Sequence, residues 1–208
     1  MTFLRHTLAG LRMLLVMTVL LGAAYPSVIA LVANVALPVQ ANGSLLTDAH
    51  GQVVGSALLG QAFDGPEWFA PRPSASDYAG DTSGGTNLPP NSAPQLAARQ
   101  ARETALRAAN PDAVGPVPED ALTASASGLD PDISLAYARW QVPRVAAARN
   151  IPADELDSLI QAALDPAPLG FLGQDGVNVT RLNLALAGNR QRGATPTSPP
   201  WPGLPSPR

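Results

Sequence analysis

The segment SASGLDPDIS, residues 125–134, concentrates the groups that could carry chemistry in this chain of 208 residues. It combines serine hydroxyls, two carboxylates, a glycine and a proline. A serine nucleophile would need a nearby base, but His50 is the only histidine apart from His6 near the N-terminus, and the G-x-S-x-G elbow is absent. A calcium-binding loop would need further acidic ligands after Asp132 and a central glycine, and both are missing.

A structural role accounts for the same residues more simply. Ser125 and Ser127 can accept hydrogen bonds from local backbone amides, and Gly128 can adopt a positive φ. Pro131 ends extended structure before Ser134 caps the next helix. We therefore expect a rigid turn that could serve as a docking surface.

A second segment offers a candidate nucleotide site. The sequence SGGTN, made up of Ser83, Gly84, Gly85, Thr86 and Asn87, resembles part of the nucleotide-binding signature of transport ATPases. Paired glycines let backbone amides approach a phosphate. However, no Walker lysine accompanies the glycines, and the surroundings are rich in proline. A plain flexible loop is therefore the competing interpretation.

Arginine supplies all thirteen basic side chains of the protein, because the chain contains no lysine. P-loop, Schiff-base and Ser–Lys chemistry are thereby excluded. The net charge of −3 and the lack of a basic cluster argue against a nucleic-acid partner. Cysteine is absent, so disulfides and thiolate sites are also excluded.

Arg72 stands between two prolines, and we expect it to reach a carboxylate of its own domain or of a partner.

Residues 13–37 predict a transmembrane helix, because they contain no charge over a length of about 37 Å, more than the ~30 Å hydrocarbon core of a bilayer. Pro26 allows a bend. A cleaved signal peptide is the alternative, although its apolar core normally runs only about 7–15 residues. Arg5 and Arg12 precede the span, which places residues 1–12 in the cytoplasm and the remainder outside the inner membrane.

The rest of the chain predicts an α+β fold, with the single N-terminal transmembrane helix followed by a small mixed α/β extracytoplasmic domain over residues 38–187. Residues 38–50 are a connector. Residues 51–63 predict a strand whose two internal glycines mark a bulge or a close backbone approach. Residues 64–94 predict a long loop, and a loop of that length is usually functional.

Three helices are expected in this domain. The first covers residues 94–109, with exposed ion pairs that join Glu103 to Arg99 and Arg107. Its packed face would consist of Ala97, Ala101, Ala105 and Leu106. The second covers residues 134–150 and is interrupted by Pro143. The third follows Pro152, with its acidic first turn at Asp154 and Glu155, and buries Leu156, Leu159, Ile160 and Ala163.

Alternating apolar residues predict a final strand over residues 177–186. The alternation changes phase near Thr180 and Arg181, so we expect a β-bulge there. Residues 188–208 are rich in proline and glycine and predict a disordered tail.

Six blocks, read in order, carry a family resemblance: GSALLGQ, FAPRPSAS, SGGTNL, PVPEDALTASASGLDPDIS, QVPRVAAARN and VNVTRLNLAL. Together they cover about residues 10–187 and resemble the C subunit of Kdp-type potassium-transporting P-type ATPases. The chain departs from the family pattern at Asp132, where a histidine is frequent. The residues for which we expect structural or interaction roles lie in these blocks: Gly55, Ser56, Gly60, Gln61, Arg72, Pro73, Ser74, Ser125, Ser127, Gly128, Asp130, Pro131, Arg144, Asn178 and Asn183.

The resemblance implies a single-pass subunit in the inner membrane. Its implied partners are a potassium-channel-like subunit, a P-type subunit that hydrolyses ATP, a small single-span subunit and membrane lipid. The implied role is accessory: to assemble or stabilise an ATP-driven potassium importer and to support nucleotide affinity, with ATP bound through the complex. We expect no catalytic residue, no metal and no cofactor bound by this chain itself.

The residues are compatible with this accessory role, since the chain has no lysine for an Asp-Lys-Thr-Gly phosphorylation motif and one span cannot enclose an ion path. A membrane-anchored periplasmic serine hydrolase, using Ser125 or Ser127, is the alternative. A free-standing periplasmic binding module is a third possibility.

Overall fold

The computed structural model describes residues 2–191 of the chain. Its contacts divide the chain into two units, Met1–Leu45 and Leu46–Arg208. The first unit is helical: α1 covers Thr2–Val19, a π-helical turn covers Leu20–Ala24, α2 covers Tyr25–Ala36, and a short α3 covers Pro38–Ala41.

Helices α1 and α2 form one apolar stretch, Thr2–Ala36, which is long and apolar enough to cross a membrane. The helix begins well before residue 13, so residues 2–12 are helical as well. The π-helical turn ends at Ala24, two residues before Pro26, whose missing N–H and bulky ring disturb the regular ladder of hydrogen bonds. The sequence predicted a possible bend at this proline, and the structure has a π-helical turn just before it.

The second unit combines two small sheets with helices, which confirms the α+β class. Strands β1 (Leu45–Thr47) and β2 (Val53–Ser56) form a two-stranded sheet. Strands β3 (Asp132–Ile133), β5 (Gly176–Asn178) and β4 (Leu164–Asp165) form an antiparallel sheet in that spatial order. In the register of the second sheet, Ile133 and Leu164 both lie opposite Val177.

The helices of this unit are α4 (Ala93–Ala109), α5 (Glu119–Leu122), α6 (Leu135–Arg149), α7 (Ala153–Ala162) and α8 (Val179–Gln191). Helix α6 starts where predicted, because the Ser134 hydroxyl accepts a hydrogen bond from the Tyr137 amide. Helix α7 also begins after its predicted proline and buries Leu156 and Ile160 completely. Both predicted helices are confirmed, but the interruption predicted at Pro143 was wrong, because α6 continues through this proline as one helix.

Helix α4 is confirmed in its bounds, but the prediction of its packed face was wrong. Ala97, Ala101 and Ala105 are exposed, and only Leu106 of the four is partly buried. The helix instead faces the domain through long polar side chains: Arg102 donates to the Leu122 carbonyl and Arg99 binds Glu119 rather than Glu103. The other predicted pair, Glu103 with Arg107, is present at 3.1 Å.

The predicted strand over residues 177–186 was wrong beyond Asn178. The chain turns there into α8, because the Asn178 carboxamide accepts the Arg181 amide and caps the helix. Val179, Leu182 and Leu186 are buried at helical spacing, so the apparent change of phase was the 3.6-residue period of a helix.

Two further boundaries differ from prediction. Helix α8 continues to Gln191, so the predicted tail of residues 188–208 starts within a helix, and residues 192–208 lie outside the described residues. The strand predicted over residues 51–63 is confined to β2, since turns follow from residue 57. Of the described residues, 57–92 contain neither helix nor strand, as the predicted loop requires.

Candidate functional site

The turn that begins at Ser125 is held by its own serines. The buried Ser125 hydroxyl accepts the amides of Gly128 and Asp130 at 3.1 and 3.3 Å and lies 3.2 Å from the Ser127 hydroxyl. The Ser127 hydroxyl accepts the Leu129 amide. Both hydroxyls thus bind local backbone donors, as predicted, and this geometry favours a structural role over a nucleophilic one.

Backbone contacts join this turn to two distant parts of the long loop. The Ser125 amide donates to the Pro73 carbonyl at 2.9 Å, and the Gly84 amide donates to the Ser127 carbonyl at 2.8 Å. The Ser74 hydroxyl donates to the Gly128 carbonyl at 2.7 Å. The three predicted motifs therefore form one unit, which we call the serine-turn block: residues 72–76, 83–85 and 125–131.

Glycine is required at Gly128, whose φ is +73°. A β-carbon there would lie 2.4 Å from the Ser76 hydroxyl and 2.9 Å from the Gly84 carbonyl oxygen. Gly60 is similarly constrained: its amide donates to the Leu129 carbonyl, and a β-carbon would lie 2.6 Å from the Asp130 carbonyl oxygen. The close backbone approach predicted at this glycine is confirmed.

Arg72 finds a carboxylate within its own domain. Its guanidinium contacts Asp130 at 2.8 Å, while its carbonyl accepts a hydrogen bond from the Tyr78 hydroxyl. Burial, with smaller contributions from Asp64 and Asp77, raises the pKa of Tyr78 to about 12, so this phenol remains a donor at physiological pH. The prolines and this contact fix the direction of the arginine.

Asn178 joins β5 to the turn after β2 and to β3, while the next residue, Val179, contacts the serine-turn block. Its side-chain amide donates to the Ala57 carbonyl at 2.9 Å and to Asp132 at 3.1 Å. Pro131 accepts the Val179 amide at 2.9 Å. Burial raises the pKa of Asp132, and the nearby Asp130 and Asp165 act in the same direction, while the bond from Asn178 opposes them.

Two buried amide side chains fasten the preceding part of the long loop. Asn183 accepts the Phe69 amide and donates to the Phe69 carbonyl, both at 2.9 Å. Gln141 does the same for Ala70, at 2.7 and 3.1 Å. Each carboxamide replaces the partner strand that this extended segment lacks. Asn183 was expected to have a structural role, whereas Gln141 was missed.

Arg144 completes this fastening, and we name the set Gln141, Arg144 and Asn183 the loop clamp. Arg144 donates to the Pro66 and Trp68 carbonyls at 2.6 and 2.9 Å. It also donates to the side-chain oxygens of Asn110 and Gln141, each at 2.7 Å. Burial lowers the pKa of Arg144, and neighbouring Tyr137 opposes the shift.

Arg149 also holds the long loop, although it was not predicted from the sequence and is not counted in the loop clamp. Its guanidinium lies 4.3 Å from the centre of the Trp68 ring and donates to the Glu67 carbonyl at 2.6 Å. The available signal was the presence of two arginines and a glutamine in QVPRVAAARN, on a helix with six buried residues. Such polar groups need partners when they are buried.

The remaining predicted residues lie around β2. Gln61 donates to the Val54 carbonyl, and a β-carbon at Gly55 would lie 2.2 Å from the Gln61 carboxamide oxygen. The Ser56 hydroxyl accepts the Leu58 amide. These contacts are local, and they shape the β2 turn without adding groups to the serine-turn block.

The candidate nucleotide loop packs on the serine turn. The Gly84 amide is occupied by Ser127, the Ser83 hydroxyl donates to the same carbonyl, and Thr86 and Asn87 are exposed. A β-carbon at Gly85 would lie 2.9 Å from the Ala126 carbonyl oxygen, whereas one at Gly84 would meet nothing within 4 Å. The geometry therefore favours a packing role for Gly85.

Across residues 2–191, no group of three or more acidic or histidine side chains could hold a metal ion.

The two glycines provide an internal test of this packing role. Gly85→Ala should destabilise the full-length chain by about 1–3 kcal/mol through overpacking, whereas Gly84→Ala should change stability by less than about 0.5 kcal/mol. The measurement is thermal unfolding in detergent. Equal loss of stability from both substitutions would contradict the packing role of Gly85.

Fold and site together define an apolar N-terminal helix that is followed in the chain by a small α+β domain. In this domain, polar side chains and glycines hold a long loop in place. Residues 7–188 match the family model KdpC, described as the K+-transporting ATPase, c chain. The chain therefore belongs to the KdpC family.

Curated relatives agree with this assignment. The potassium-transporting ATPase KdpC subunit of Caulobacter vibrioides is 52% identical over 171 residues, which cover 81% of this chain and 86% of that protein. The KdpC subunit of Sorangium cellulosum is 48% identical over 190 residues, covering 90% of this chain and all of its own length. The KdpC subunit of Myxococcus xanthus is 45% identical over 199 residues, covering 94% and 93% of the two chains.

Proposed function

We propose that this chain is the accessory subunit of an ATP-driven potassium importer and that it acts by assembling and stabilising the complex. The observation that carries this proposal is the family match over residues 7–188. The site geometry supports it, because the serines, glycines and arginines of the six blocks are engaged in holding the domain together. The partners are a potassium-channel-like subunit, a P-type catalytic subunit and a small single-span subunit.

The proposed topology follows from the charge distribution. Residues 1–12 lie in the cytoplasm, residues 13–37 span the inner membrane within lipid, and residues 38–187 fold on the outer side. Arg5 and Arg12 supply the positive charge that is retained inside. A periplasm-dependent reporter fused after Asp165 should be active and a cytosol-dependent reporter silent. The reverse pattern would refute this orientation.

The effect on ATP is proposed to be indirect. A folded domain on the outer side is separated from cytoplasmic ATP, and the amide of Gly84 already binds the Ser127 carbonyl. The subunit would instead favour one conformation of its partners, and that conformation would bind nucleotide more tightly. Coupling of this kind is typically about 1–3 kcal/mol, or about 5–150-fold in affinity.

Co-purification tests the accessory role directly. A tagged full-length chain, extracted from its own membrane in mild detergent, should bring down a large multi-span ATPase. The isolated chain should bind ATP no better than millimolar by calorimetry, while the assembled complex should bind it more tightly. Failure to retain any ATPase, or turnover of ester or peptide substrates that is abolished by Ser125→Ala, would contradict the proposed function and favour the hydrolase.

A further inference from the structure

An exposed apolar loop lies between β4 and β5, and none of the contacts described so far involves it. It consists of residues 168–172, with the sequence PLGFL. Leu169 is 80% exposed and Phe171 is 74% exposed, and Leu172 is also more than half exposed. Isolated apolar side chains on a surface are ordinary, but three within four positions form a patch of the kind that marks an interaction site.

The loop has a defined conformation. The Ala167 amide donates to the Asp175 carboxylate at 2.8 Å, closing the base of the loop. Within the loop, the Gly170 and Leu172 amides donate to the Ala167 and Pro168 carbonyls at 2.9 and 3.1 Å. Below it, the paired strands β4 and β5 fix both ends. The apolar side chains are therefore presented on a preorganised support.

Leu169 adopts a left-handed conformation, with φ of +58°. This region is unfavourable for a bulky side chain and is usually occupied by glycine or asparagine. The strain holds a leucine outward at the tip of the loop, where it contributes no core packing. Strained residues of this kind cluster at binding and switch sites.

The charges around the apolar loop indicate whether it contacts a lipid surface or a protein. Segments that bind membrane surfaces combine apolar residues with lysine or arginine, because anionic lipids attract positive charge. The apolar loop has the opposite setting: Asp165 and Asp175 stand at its base, and the nearby Arg181 is bound to Asp165 at 2.8 Å. An apolar pocket with a basic rim on a protein partner fits this arrangement better than a bilayer.

We propose that the apolar loop docks into an apolar, basic-rimmed pocket on another subunit of the same transporter, an inference that rests on the proposed function. Phe171 is the central anchor and Leu169 the second contact. A few desolvated aromatic and aliphatic anchors normally dominate the affinity of a protein interface. Because Asp165 is already paired with Arg181, Asp175 is the carboxylate at the base that sets orientation and rate of association rather than affinity.

Photo-crosslinking from the loop identifies the occupant. Benzoylphenylalanine replaces Phe171 in the full-length chain, expressed with the complex in its own membrane, and Val114 serves as the control position. Val114 is 91% exposed in a different loop. We expect a crosslink from position 171 to another subunit of the complex and none from position 114. A crosslink to lipid, to a second copy or to residues 192–208 of the same chain, or no crosslink, would overturn the proposal.

Paired substitutions measure the contribution of the loop. Leu169→Asn removes the apolar contact with a residue that tolerates positive φ, so the loop keeps its shape. Combined with Phe171→Ala, it should weaken retention of the other subunits by about tenfold or more. Val114→Ala should leave retention unchanged. The thermal midpoint of the full-length chain should be unaffected by either, because the replaced side chains are exposed.

The outcomes separate the two proposals. If the unmodified chain retains no ATPase subunit, the accessory function itself is wrong and the docking proposal falls with it. If the unmodified chain and the Leu169→Asn, Phe171→Ala variant retain the complex equally, only the docking proposal is wrong.

Discussion

Replacing Arg144 with methionine should destabilise the domain by about 3 kcal/mol and lower its unfolding midpoint by about 6–12 °C. Methionine preserves most of the apolar stem but removes every donor of the guanidinium. The side-chain oxygen of the buried Asn110 would lose its Arg144 donor, and the Pro66 and Trp68 carbonyls would each lose the guanidinium as a donor. A buried acceptor left without a hydrogen bond costs about 1–3 kcal/mol. The measurement is thermal unfolding of the full-length chain, followed by the near-ultraviolet signal of its tryptophans.

Arg107→Met is the matched control for this experiment. Arg107 is also a helical arginine, but it is exposed, and within residues 2–191 it pairs only with Glu103 on the surface and, at 3.5 Å, with the Gly115 carbonyl. Surface pairs of this kind contribute about 0–1 kcal/mol, so the control should shift the midpoint by no more than about 3 °C. Equal shifts for the two variants would mean that the loop clamp does not hold the long loop.

The sequence predicted those elements whose signals are local. Ser134 caps α6, Pro152 precedes α7, and both helices appear at the expected positions. Helix α8 was missed because three leucines at positions 182, 184 and 186 imitate the alternation of a strand. The deciding signal was also local, since Asn178 caps that helix, but an asparagine two residues into an apolar run is equally compatible with a bulge.

The candidate site was predictable in its residue types but not in its connections. Glycine at position 128 and the serines around it indicated a turn, and the turn is present. No pattern in the sequence indicated that Gln141 and Asn183 would bind backbone groups 71 and 114 positions away. The sequence also did not indicate that the alanines of α4 would be exposed. A narrow apolar stripe does not determine which side of a helix packs against the domain. Long-range partners depend on how elements pack, which one-dimensional spacing does not encode.

The second large effect is expected at the serine turn, where Gly128→Ala should destabilise the domain by about 2–5 kcal/mol. A left-handed conformation costs an L-residue with a side chain about 1–2 kcal/mol. Overpacking adds about 1–3 kcal/mol, since the new β-carbon would lie 2.9 Å from the Gly84 carbonyl oxygen. That oxygen belongs to backbone already fixed by Ser127, so it has little freedom to move.

Gly115→Ala separates the two causes, because Gly115 also has a positive φ, +89°, but a β-carbon there would meet nothing within 4 Å. Gly115→Ala should therefore destabilise the domain only by the cost of the left-handed conformation, about 1–2 kcal/mol.

Adding Ser76→Ala to Gly128→Ala removes the nearest side-chain oxygen, 2.4 Å from the new β-carbon. If the backbone of Gly84 is the true obstacle, this second substitution should recover less than half of the lost stability. Recovery to the cost of Gly115→Ala, which is the conformational part alone, would show that the serine side chain is the obstacle to a β-carbon, and that residues 83–85 are not rigidly joined to the turn. A final measurement tests whether assembly depends on the contact between residues 83–85 and the serine turn. It compares the retention of ATPase subunits by each variant below that variant's unfolding midpoint. We expect retention to fall for Gly128→Ala and to remain unchanged for Gly115→Ala.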